Sequence, residues 1–107
     1  MVLMSLAILL VSFISMNIQA AELPGADINV NLSLREVSLR AAFRALADVA
    51  GMNIIADNSV QGTVTLNLEN ITFLEAVELL SKTNGLSYRI IGNTVLIASP
   101  DRLQSGF

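Results

Sequence analysis

Apolar and polar residues alternate singly from Ile28 to Leu34: Ile28, Val30, Leu32 and Leu34 are apolar, while Asn29, Asn31 and Ser33 between them are polar. The alternation returns further on, with Val64, Leu66 and Leu68 set between Thr63, Thr65 and Asn67. A period of two puts every apolar side chain on one face of a pleated strand, so each stretch predicts a strand with one buried face. After a polar pair (Arg35-Glu36 in the first stretch, Glu69-Asn70 in the second) the spacing becomes helical. Leu39, Ala42, Phe43, Leu46 and Ala50 form an apolar stripe opposite Arg40, Arg44 and Asp48. Phe73, Ala76, Val77 and Leu80 repeat that stripe, with Glu75, Glu78 and Lys82 facing out.

Helix ends are signalled too. Ser38 and Thr72 are N-cap residue types, and Thr72 with Glu75 makes a T-x-x-E capping box. Gly51 and Gly85 stand where a helix wants a left-handed closing residue. "MNIIA" and "LSYRI" then read as short strands, and Gly92-Asn93 is a two-residue hairpin turn of the primed type leading into "TVLIA". The predicted order is β-α-β-β-α-β-β.

The two halves are one statement made twice. "VNLSLREVSLRAAFRALADVAG" (30–51) and "VTLNLENITFLEAVELLSKTNG" (64–85) align without a gap at an offset of 34 residues. Tetratricopeptide repeats share that period, but they are pairs of helices, whereas the first third of each repeat here has the period of a strand. The expected fold class is therefore α+β: two β-α-β halves plus a C-terminal β-hairpin, with helices packed on two small sheets. Neither half can bury its apolar face alone; each covers the other. The expected boundaries are a signal segment over 1–20, a linker over 21–27, the domain over 28–99 and the start of a C-terminal linker over 100–107.

Composition narrows the functions. In 107 residues there are nine acidic and six basic side chains, a net charge of −3, with no basic cluster of the kind nucleic acid requires. No Cys and no His is present, which removes thiolate and imidazole chemistry. The opening run "MVLMSLAILLVSFISM" is uncharged and somewhat short for a bilayer span of about 20 residues. With Ala20 as the small residue at a cleavage point it reads as a secretory signal peptide, a retained anchor being the alternative. The usual positive charge ahead of the apolar run is missing, since the first basic residue is Arg35; the expectation is a true start upstream of Met1 or a clipped gene.

The search for chemistry yields little. Glu75 and Glu78 are the one closely spaced helical carboxylate pair, and acid–base work would require them to be held in a cleft rather than on an outward face. Asp57, Asn58 and Ser59 lack the further ligands of a calcium loop. Gly62 is a lone glycine beside a strand and builds no phosphate cradle. Asn31 and Asn70 fit the glycosylation tripeptide, but such matches are common by chance and are discounted. The expectation is a non-enzyme with no cofactor and no metal.

What remains is surface. Asn29, Asn31, Ser33, Thr63, Thr65 and Asn67 form a polar, uncharged outward face without Lys or Pro. Edge strands are normally blunted by charge, proline or a bulge, so these six are the candidate partner-binding residues, acting by strand addition. The competing reading makes the two strands internal to a sheet and merely solvated on one side.

Laid out in this way, the chain resembles the secretin and TonB N-terminal short domain, also called N0, and in particular the version in type IV pilus secretins. The resemblance is carried by "L-R-x-x-x-R-x-L-A-x-x-x-G-x-N-I" from Leu39 to Ile54, "G-x-V-T-L-x-L" from Gly62 to Leu68, "A-x-x-L-L-x-x-x-G-L-x-Y" from Ala76 to Tyr88, and the following "GNTVLIA". It implies a periplasmic, non-enzymatic docking module of a secretin-type outer-membrane assembly. Implied partners are inner-membrane secretion or pilus components and other secretin subunits, with membrane contact only through an uncleaved N-terminal segment. In TonB-dependent transducers the same domain signals to an inner-membrane anti-sigma regulator, which is the alternative. Nothing in the sequence through Phe107 reads as a channel domain or as a plug and barrel, so the expectation is a docking module without the channel itself.

Overall fold

The computed structural model describes residues 23–104; the signal segment read over 1–20, with 21–22 and 105–107, lies outside the described residues. The elements are β1 (Asn29–Ser38), α1 (Leu39–Ala50), β2 (Asn53–Ala56), β3 (Thr63–Thr72), α2 (Phe73–Lys82), β4 (Ser87–Ile91), β5 (Thr94–Ala98) and α3 (Pro100–Gln104). The order predicted from the alternating and helical periods is the order found, with α3 added.

β1 and β3 pair antiparallel as a two-stranded ribbon, while β2, β5 and β4 form a second sheet in that order. Within the ribbon Leu32 faces Leu68, Ser33 faces Asn67 and Leu34 faces Leu66. Moving every residue of a pair to its counterpart in the other half turns Leu32–Leu68 into Leu66–Leu34 and leaves Ser33–Asn67 unchanged. A pseudo-twofold axis therefore passes through the Ser33–Asn67 pair.

The polar pairs that ended the alternation do not end the strands. They are β-bulges, and each strand continues four residues beyond the point where the alternation stops at Leu34 or Leu68. Residues 35–36 of β1 oppose Thr65, and residues 69–70 of β3 oppose Asn31. Glu36 (φ 49°) and Asn70 (φ 52°) occupy the left-handed region that a bulge imposes on one residue. Each bulge is held across the ribbon by a side chain. The Glu36 N–H donates to Thr65 Oγ1 at 2.9 Å, and the Asn70 N–H donates to Asn31 Oδ1 at 2.9 Å.

Each ribbon strand runs into its helix with no intervening residue. Ser38 caps α1 by accepting from the Ala41 N–H at 3.0 Å. Thr72 caps α2 in a complete capping box: it accepts from Glu75 N–H, and the Glu75 carboxylate accepts in return from Thr72 N–H, both at 3.2 Å. The chain leaves both helices through equivalent bonds, Met52 N–H donating to Ala47 O and Leu86 N–H to Ser81 O, with Gly51 and Gly85 at φ 67° and 69°. Gly51 is itself the C-cap of α1, whereas α2 is capped at Thr83, two residues before its glycine.

The core lies between the helices, the ribbon's inner face and the second sheet. Leu39, Phe43, Leu46, Phe73, Val77, Val95 and Ile97 are almost wholly buried, each worth about 1.5–3 kcal/mol relative to exposure. β5 carries an unbroken apolar run, Val95-Leu96-Ile97-Ala98, because it is covered on both faces. Val95 and Ile97 meet the main core, and Leu96 and Ala98 meet Leu103 of α3. At the β4–β5 turn Gly92 has φ 61° and Asn93 stays negative, the II′ form that wants Gly in the first position.

Where they are described, over 23–27 and 100–104, both expected linkers are packed structure. Pro100, expected to open a linker, instead starts a helical turn, where a missing N–H is harmless. Its Leu103 is 7% exposed. Arg89 Nη2 donates to the Leu103 carbonyl at 2.6 Å, and Arg102 pairs with Asp57 at 2.8 Å. At the other end Leu23 is 5% exposed, and the Leu74 N–H donates to Ala26 O at 3.0 Å. The segment is polar enough to look free, yet two apolar residues tie it down.

Candidate docking surfaces

The six candidate residues all lie exposed on the ribbon, and as a sheet of two strands the ribbon leaves each strand with one outer edge unpaired among the described residues. Their roles differ. Asn31 and Thr65 spend an acceptor on holding the bulges, whereas Asn29, Ser33, Thr63 and Asn67 make no side-chain hydrogen bond among the described residues. Ser33 and Asn67 sit at the pseudo-dyad, between the two bulges.

The second sheet treats its β2 edge differently. Arg40, on the face opposite the apolar stripe of α1, donates through Nη1 to the carbonyls of Ala56 and Asp57 at 2.9 and 2.8 Å. A guanidinium across the end of an edge strand is one of the devices that blunt it. Between α1 and β2 lies an open groove of about 440 Å³, rimmed by Arg40, Arg44 and Asp48 and floored by Met52 and Ile54. No sequence signal points to this groove, because the placement of α1 against β2 is not encoded in any local pattern.

Asp57, at the junction of the halves, is occupied. It accepts from the Ser59 hydroxyl, from the Ser59 N–H at 2.6 Å and from Arg102. The bonds from Ser59 chiefly, and Arg102 beside them, outweigh partial burial and hold its carboxyl at about 2. The Ser59 hydroxyl in turn accepts from Ser99 N–H at 2.9 Å, so the connection between the halves is tied to the C-terminal turn.

The carboxylate pair on α2 is also engaged. Glu75 belongs to the capping box, and the bonds from the Thr72 hydroxyl and N–H lower its pKa. Glu78 accepts from the Tyr88 phenol at 3.2 Å; burial first, then the Glu78 charge and that bond, raise the tyrosine's pKa. Two carboxylates with separate structural partners do not make an acid–base couple. Among the described residues no cluster of carboxylate, Cys or His side chains could hold a metal ion.

Comparison with known proteins agrees with this architecture. Residues 52–100 match the secretin and TonB N terminus short domain. Over 74 residues the chain is 34% identical to the fimbrial assembly protein PilQ of Pseudomonas aeruginosa, covering 69% of this chain and 10% of that protein. It thus spans about a tenth of the length of the curated relatives it matches. Among solved structures, the type IV competence pilus secretin PilQ of V. cholerae superposes with a TM-score of 0.61 at 27% identity, over 69% of this chain and 18% of that one. The N0 domain of the type II secretin from enterotoxigenic Escherichia coli superposes at 0.58 and 14% identity, over 70% of this chain and 99% of that one.

The fold is that of the secretin N0 domains. More narrowly, residues 52–100 match the secretin and TonB N terminus short domain, and the chain as a whole is similar to a small part of type IV pilus secretins.

Proposed function

We propose that this chain is a periplasmic docking module of a secretin-type outer-membrane assembly, serving a type IV pilus or a type II-like secretion system. Its partners are inner-membrane components of that machine and neighbouring secretin subunits, and it performs no catalysis. The observation that carries the reading is the two-stranded ribbon: both outer edges are unpaired among the described residues and the exposed face bears no charge at its centre. Such a ribbon offers backbone donors and acceptors to an incoming strand, and its side chains need no desolvation of charge.

The test is cross-linking in living cells from a photoreactive residue placed at Ser33 or at Asn67. Adducts with an inner-membrane pilus or secretion component, or with a secretin, are expected. Adducts no different from those formed by a probe at exposed Asp101 would defeat the reading. Capture of an anti-sigma regulator would replace it with the transducer type.

A further inference from the structure

The groove between α1 and β2 is separate from the ribbon and has a chemistry of its own. Among the described residues β2 is an edge strand, hydrogen-bonded within its sheet to β5 alone. In parallel pairing, successive residues turn their backbone groups to opposite sides. The Asp57 N–H donates to Ile97 O at 2.9 Å, in the register that pairs Ala56 with Ile97. Ile55 and Asp57 therefore face β5, while Ile54 and Ala56 turn outward. The Ala56 carbonyl is taken by Arg40. Among the described residues no neighbouring strand takes the N–H and C=O of Ile54, at the middle of the strand, and they stand open to another chain.

The charge at this edge is one-sided. Arg44 is exposed and makes no hydrogen bond or ion pair among the described residues. With Arg40 beside it and Asp48 as the one acid, the rim carries a net positive charge over a floor of half-buried Met52 and Ile54.

We propose that this groove receives an extended, acidic segment of a partner protein. The segment's backbone pairs with Ile54, an apolar side chain lies on Met52 and Ile54, and a carboxylate two residues along meets Arg44. The two-residue spacing follows from the alternation of an extended chain, which puts both side chains on the groove side. Arg40 limits the strand addition to a short bridge, because it closes the C-terminal end of the edge. A basic segment would meet two guanidiniums, and a neutral one would leave Arg44 without a counter-charge.

The experiment is a fluorescence-anisotropy titration of the full chain against a labelled, terminally blocked Thr-Val-Thr-Glu-Thr peptide, carried into the millimolar range. Saturable binding is expected, weakened about fivefold both by the glutamine counterpart of the peptide and by Arg44→Gln, the size of one exposed ion pair. Asn67→Ala, on the ribbon, is expected to leave it unchanged. Absence of saturable binding, equal affinity for the glutamine peptide, or loss of binding in Asn67→Ala would each overturn the assignment. Because Arg44 is exposed and unpartnered, its variant keeps the fold, which an unchanged melting temperature verifies.

Discussion

The two halves of the domain begin alike and end differently. Both have a bulged strand, a capped helix and a glycine-closed turn at matching positions. All of these devices are local or lie across the ribbon, so a repeated sequence repeats them. The symmetry stops at β5, which has no counterpart. It lies between β2 and β4, parallel to one and antiparallel to the other. Equivalent positions beyond the ribbon then meet unlike neighbours. Arg44 in α1 looks onto an open groove, while its counterpart Glu78 in α2 accepts from the Tyr88 phenol. A repeat therefore predicts local structure at both copies, but a side chain's role at neither.

The sharpest way to probe this difference is in the core. Leu46→Ala and Leu80→Ala alter equivalent residues, 0% and 5% exposed. Each is expected to cost about 2–5 kcal/mol, with Leu46 the larger. Urea unfolding midpoints check the order; an inverted order would mean that the second half carries the tighter packing.

The caps come next. Thr72→Ala removes a capping box and Ser38→Ala a single bond, so losses of about 1–2 and about 1 kcal/mol are expected, read from the same unfolding curves. The Thr72 cap also depends on acid. Because its pKa is lowered in the folded protein, Glu75 stabilises α2 above the ordinary carboxylate range and loses that contribution as pH falls below it. Asp57 acts in the same direction, between 3.8 and about 2. The Ser38 cap has no titrating member. Amide exchange in acid should therefore speed up at the start of α2 and at the 57–59 turn before it does at the start of α1, and the Asp57 part should vanish in Asp57→Asn.

Smaller effects separate the halves further. Ser81 is buried with its hydroxyl unpartnered among the described residues, and its counterpart is Ala47. Ser81→Ala should stabilise the protein by about 1 kcal/mol, since it removes a desolvated polar group and leaves little void. At the bulges, Glu36→Gly should gain about 0.5 kcal/mol and Asn70→Gly close to nothing, because Asn tolerates a positive φ better than Glu. Thermal melts resolve the first; equal gains would mean that φ is not what distinguishes these sites.

Much of the fold was legible because its signals are periodic. The strand-to-helix switch, Ser38, the Thr72–Glu75 box, Gly51, Gly85 and the Gly92-Asn93 turn all act within a few residues of themselves. The bulges are not legible as bulges, since Arg35-Glu36 and Glu69-Asn70 break the alternation in sequence and only the partner strand shows that the strand goes on. The partition into two sheets and the central place of β5 depend on pairings that no local pattern encodes. The six polar ribbon residues were legible as a face because alternation defines a face. The groove at β2 was not, because Arg40 bonds to carbonyls 16 and 17 residues away.

Ser38 and Thr72 are each the last residue of a strand and the cap of a helix, which leaves no slack between ribbon and helices. The ribbon is then a shared pivot and the helices two stiff arms set about it. A twist imposed on the ribbon by a docked strand would turn both arms at once and press on the sheet beneath them. In mechanical terms the ribbon and its two helices are one crank rather than three hinged parts.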